Sequence, residues 1–218
     1  MSLVLDDLLD QSAAFDRDLH DLLTDAENNG SPRSILLVSM CDLVFEHGRS
    51  VQMLVERGHL ASAIALLRVQ LDAIIRIVWI HYAATDDWVQ SVVALQPGGL
   101  SKDPTNALSV NDMLRGIQAK APAELHRQLA EFKTAAWPAL NSYIHSGIWP
   151  VVQRMRGNEI EGAIQTLKNS NGLSGMSAMM VAMHTGNRQN TIGVKLLHLR
   201  HKGCLPPLRE EEGSRQGA

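Results

Sequence analysis

Cysteine is scarce in this chain. Cys41 and Cys204 are the only two in 218 residues, too few and too far apart for a disulfide framework or a thiolate metal site. An excess of one charge is also missing. Twenty Lys and Arg against 23 Asp and Glu leave a net charge of −3, which exerts no global pull on nucleic acid or anionic membrane. A site for RNA must therefore be a local basic patch. Long apolar runs without charge are absent too. The most apolar stretch, Leu60–Ala84, is interrupted by Arg68, Asp72 and Arg76, and charges at that spacing argue against a lipid-facing span. The opening residues, MSLVLDDLLD, carry acids where a signal peptide carries bases. These absences predict a soluble protein of the reducing cytoplasm, with no membrane partner.

Several chemistries lack their motifs. No two Glu-x-x-His motifs stand on separate helices, as the di-metal bundle type requires, and there is no His-Glu-x-x-His and no glycine-rich phosphate loop; Gly98-Gly99 reads as a turn. No nucleophile elbow surrounds a serine. His198 and His201 share a helical spacing but read as a solvated basic segment with Arg200 and Lys202. The expectation is no cofactor and no metal. A metal-binding bundle that gathers His47, His81 and His184 from different helices is the outlying alternative.

What the sequence has in abundance is helical periodicity; no region alternates with period two for long enough to require a strand. The chain reads as an all-α helical bundle of about six to nine helices in a single domain, residues 1–203, followed by a loose tail over 204–218. Helices are expected over Ser2–Asn28, Ile35–Arg57, His59–Ala84, Trp88–Leu95, Ser109–Lys120 and Pro122–Ala136. Ser31 and Ser109 stand as N-caps and Gly58 as a C′ stop. The 96–107 segment, QPGGLSKDPTNA, is the clearest loop. Pro138 should open a short helix, Pro138–His145, and Pro150 another, Pro150–Arg156. Asn171-Gly172 should divide Glu159–Asn169 from the Met-rich Leu173–His184, and Thr191–Arg200 should close the fold. His59–Ala84 is apolar on nearly every side and belongs at the centre of the bundle.

Two constellations carry potential chemistry. Arg68, Asp72 and Arg76 lie four apart and share one face of the central helix, with Trp79 beside them. Asp72 can pair with either arginine, so one guanidinium needs a partner elsewhere. The cluster is either an anion-facing arginine oriented by a carboxylate or an internal ion-pair network. The second lies in the stretch WPALNSYIHSGIWP, residues 137–150, bracketed by two Trp-Pro pairs. His145 stands near a helix C-terminus, which favours imidazolium. It is either a general acid or phosphate contact, or a structural histidine that satisfies free carbonyls between Trp137 and Trp149.

Leu66–Ala84, LLRVQLDAIIRIVWIHYAA, and Leu140–Gly147, LNSYIHSG, together resemble the HEPN-like bacterial families. The resemblance spans roughly Ile35–Arg156. It implies a helical bundle that forms a homodimer and binds RNA or a nucleotide. It further implies metal-independent RNA cleavage in a toxin or phage-defence role, with an antitoxin-like protein as a partner. On this resemblance the site residues are His145, Tyr143 and Asn141. The family motif also places an Arg ahead of its His with four to six residues between them; Pro138, Ala139 and Leu140 stand there instead. Arg68 or Arg76, with Asp72 between them, would have to supply the guanidinium. A non-catalytic dimeric scaffold is the alternative reading.

Overall fold

The computed structural model describes residues 2–24, 26, 29–95, 108–157 and 159–207. Among these, every regular element is helical: α1 (Leu3–Leu23), α2 (Pro32–Glu56), α3 (Leu60–Tyr82), α4 (Asp86–Val93), α5 (Val110–Lys120), α6 (Ala123–Ile144), α7 (Ile148–Arg156), α8 (Glu159–His184), α9 (Arg188–Arg200) and a 3₁₀ turn, Lys202–Cys204. The predicted loop over 96–107 lies outside the described residues, as does 208–218 of the predicted tail. Cys204 and Leu205, at the start of that tail, are buried. No described helix is long and apolar enough to cross a membrane.

Local chemistry starts several of these helices where the sequence placed their caps. The Ser31 hydroxyl accepts from the Ser34 N–H at 3.2 Å, with Pro32 in the first turn. Ser109 and Asp112 form a reciprocal capping box. Gly58 and Gly157 follow α2 and α7 with φ of +74° and +72°, the left-handed conformation that costs glycine little.

α3 is the centre, packed against α2, α8, α6 and α5. Leu71, Ile74, Ile75, Ile77, Val78 and Ile80 are fully buried along it, each such side chain contributing roughly 1.5–3 kcal/mol of burial free energy. A polar hub joins α2, α3 and α8 inside this core. Gln70 donates to the Val44 and Ser170 carbonyls and to the Ser174 hydroxyl, each at 3.2 Å, and accepts from the Ser170 hydroxyl at 2.9 Å. Gly48 lets the helices approach there: a Cβ at that position would lie 2.7 Å from Ser174 Oγ.

Three sequence expectations are corrected. Pro138 does not open a helix but sits inside α6, which runs on to Ile144. The cost of an interior proline, about 3 kcal/mol, is offset by packing on both sides of it, because Leu129 and Leu140 are buried against the core. Pro150 lies in the first turn of α7, which begins at Ile148, where the missing N–H has no intrahelical partner to lose. Asn171-Gly172 does not divide α8. Asn171 Nδ2 donates to Ser12 Oγ at 2.8 Å and to the Cys204 carbonyl at 2.9 Å, and Gly172 admits Pro206, which a Cβ would meet at 3.1 Å. His198 and His201 are corrected as well. Both are half-buried against Phe15, with ring centroids at 5.8 and 5.4 Å, and His201 Nε2 bonds Asp18 at 2.7 Å.

Candidate functional site

The central charged face of α3 is brought against α6. Arg68, only 8% exposed, forms an ion pair with Asp72 one turn along α3. Its Nε donates to Asn141 Oδ1 at 3.2 Å, and the guanidinium carbon lies 3.3 Å from the centre of the Trp137 ring. Three of the six candidate residues, Arg68, Asp72 and Asn141, thus converge. Burial pushes the Arg68 guanidinium down to about 10, so it stays cationic at neutral pH. A carboxylate, an amide oxygen and an aromatic face surround it, which is the environment a desolvated cation requires. Trp79 does not join this cluster; it packs edge-on against Trp88 at 4.7 Å and lies against Gly116 of α5.

The remaining candidates sit apart. Arg76 is half-buried and has no hydrogen bond or ion pair among the described residues. His145 terminates α6, its side chain exposed rather than packed between Trp137 and Trp149. Arg68 stops one turn short of it, at Asn141. Of the two arginines on that face, Arg68 is taken up in an internal latch to α6, and Arg76 is not.

The turn after His145 is built closely. The Gly147 N–H donates to the Ser142 carbonyl at 2.7 Å, the long bond of a Schellman-type stop, with Ser146 at φ 51°. Ser142 Oγ accepts from the Trp149 N–H at 3.1 Å. Gly147 is required by this proximity, since a Cβ there would lie 2.5 Å from Ser142 Oγ. The turn folds α7 back along α6 and opens a groove of about 240 Å³ lined by Ala139, Tyr143, Trp149, Val152, Gln153 and Arg156. The Tyr143 hydroxyl donates to Gln153 Oε1 and ties the two walls together. Gln153 is seated against α8 because Gly162 has no side chain; a Cβ there would lie 2.5 Å from Gln153 Nε2. Burial raises the Tyr143 phenol, which keeps it a neutral donor.

Of the sequence candidates Tyr143 lines this groove and His145 does not; sequence reasoning missed Trp149 as a wall, and Gln153 and Arg156 altogether. The available signal was the helical spacing of Trp149, Gln153 and Arg156, at i, i+4 and i+7, which puts them on one face of α7.

Among the described residues no group of three or more His, Cys, Asp or Glu side chains is placed to hold a metal. Of the three scattered histidines, His81 and His184 do meet, edge to face with centroids 5.6 Å apart. Arg33 lies nearby, and the burial of His81 Nδ1 and His184 Nε2 leaves both without a hydrogen-bond partner.

Residues 41–207, most of the chain, match a family of unknown function, DUF6988. No curated protein and no solved structure matches the chain.

Proposed function

We propose that this chain, which belongs to the DUF6988 family, binds a nucleotide or the exposed base of single-stranded RNA in the α6–α7 groove. The observation that carries this reading is the groove lining: two aromatic side chains, Tyr143 and Trp149, with the Arg156 guanidinium at the same opening. Unstacked bases are recognised by aromatic faces together with cations that meet the adjoining phosphate. At about 240 Å³ the groove is smaller than the roughly 300–1,000 Å³ pockets of drug-sized ligands, so it would take a single base with the phosphate outside, at its mouth. The resemblance to HEPN-like proteins supports the same ligand class. Binding without cleavage is the preferred form of this reading, because no Arg stands at the motif positions before His145 and Arg68 is held by Asp72, Asn141 and Trp137.

Titration with oligouridylate, oligoadenylate and free mononucleotides, read by tryptophan fluorescence, tests this. Replacing Trp149 with Ala should weaken binding about 10- to 100-fold, the worth of one base stack. Retention of wild-type affinity by Trp149→Ala and Arg156→Ala, or no binding at millimolar nucleotide, would remove the reading. RNA incubated in EDTA with wild type and His145→Ala should stay intact in both; cleavage by wild type alone would restore the nuclease reading.

A scaffold reading is favoured by a separate observation. None of the nine residues of α7 is buried, and Ile148, Val151 and Met155 form an exposed apolar ridge, Met155 at 81%. A second copy covering this ridge would give the homodimer that the resemblance implies. Light scattering of wild type and Met155→Glu across a concentration series distinguishes a dimer built on this ridge from a monomer.

A further inference from the structure

The geometry points to α9 as a docking surface for a helix of a different protein, one with an apolar seam bordered by acidic residues. The inner face of α9 is committed to this chain: Val194 and Leu197 are buried, and Gly193 presses on Leu22 of α1, which a Cβ would meet at 2.6 Å. The outer face is not. Ile192, Leu196 and Leu199 are all exposed, the last two at 59% and 64%. Their spacing of four and then three residues is the repeat of a coiled-coil seam, with Leu196 at an a position and Ile192 and Leu199 at d positions.

The positions flanking that seam are basic. Arg188 and Lys195 fall at g and Arg200 at e, and all three are exposed. The sequence holds no Asp or Glu anywhere from Gly186 to Leu208. In a chain whose net charge is −3, this is a local reversal of sign. Arg188 and Lys195 have no ion pair among the described residues, and Arg200 has only a long one, 3.4 Å to Asp18.

Charge at e and g sets the choice of partner. A second copy of α9 is disfavoured in both orientations. Parallel pairing would set Lys195 against Arg200, and antiparallel pairing would set lysines and arginines against their own kind. Acidic flanks on a different helix would meet cations on both sides of the seam. A bilayer is the weaker match, because interfacial helices present a broad apolar face, whereas a strict a/d stripe is the narrower seam of helix pairing.

The test uses the full chain and a labelled three-heptad peptide with Ile at a, Leu at d and Glu at e and g, beside a matched peptide with Lys at e and g. Fluorescence anisotropy should show binding of the Glu peptide and at least tenfold weaker binding of the Lys peptide. Leu196→Ser/Leu199→Ser should weaken the Glu peptide at least tenfold with an unchanged circular dichroism spectrum. Arg188→Glu/Lys195→Glu should reverse the preference, which a merely unfolded variant cannot do. Equal binding of both peptides, or no binding of either, overturns the inference. So does wild-type affinity in the double-Ser variant, or self-association that the double-Ser variant abolishes. Binding to phosphatidylglycerol-containing vesicles without binding to the Glu peptide would assign the surface to a membrane instead.

Discussion

Removal of Arg68 is the sharpest probe of whether the α3–α6 latch is architecture or site. In Arg68→Ala the Asp72 carboxylate loses its counter-ion while remaining mostly enclosed, with its side chain 28% exposed. Leaving one member of a buried pair alone costs about 3–5 kcal/mol, and the partial exposure of Asp72 places this case toward about 3. Loss of the guanidinium over Trp137 adds about 1 kcal/mol, for a total of about 4 kcal/mol. In a domain of this size that lowers the melting temperature by roughly 8–16 °C. Urea unfolding followed by circular dichroism measures the loss. Replacing both charges, Arg68→Met with Asp72→Leu, should recover most of it, because an apolar pair of similar volume no longer bears the desolvation of two ions. A loss below about 1 kcal/mol in Arg68→Ala would mean that the latch contributes little. The guanidinium would then be free for an anionic ligand, and the assignment of Arg68 to the fold would be wrong.

Burial holds His81 and His184 below the ordinary imidazole value of 6.5, with the charge of His184 adding to the effect on His81 and that of Arg33 to the effect on both. The unfolded chain therefore binds more protons, and stability should fall as pH drops through 6.5 toward the folded values; His184→Leu should flatten that dependence in denaturant titrations from pH 8 to 5. Ser146 adopts φ 51° at the stop of α6, so Ser146→Gly should stabilise the protein by about 0.5–1 kcal/mol in the same measurement. Burial pushes the Cys41 thiol up to about 12 and the Cys204 thiol up to about 11; both should resist a thiol reagent at pH 8 and react stoichiometrically once the protein is unfolded.

The parts of this fold legible in the sequence are those decided within a few residues. Ser31 caps Ser34, Ser109 and Asp112 cap each other, and Arg68 pairs with Asp72 four positions on. The misread parts depend on partners far along the chain. Asn171 resembles a breaker until Ser12, 159 residues away, accepts its amide. Pro138 resembles a helix start until the buried Leu129 and Leu140 hold α6 together across it. The site divides the same way. Tyr143 and His145 stood out by their local company, and Asn141 through a family resemblance. That Trp137 would cover Arg68, and Gln153 would meet Tyr143, depends on how α6 lies between α3 and α7.

The Gln70 hub has a consequence for uniqueness. A bundle held by aliphatic side chains alone tolerates one helix sliding past another, because Leu and Ile layers exchange neighbours at small cost. Gln70 satisfies its amide only when Val44 of α2 and both Ser170 and Ser174 of α8 stand at the present heights. A slide of one helical turn, about 5.4 Å, would strand that amide in the core. The hub thus acts as a depth gauge for α8, which fixes where Gly162 meets Gln153. The height of the α6–α7 groove is in this way set from the opposite side of the central helix.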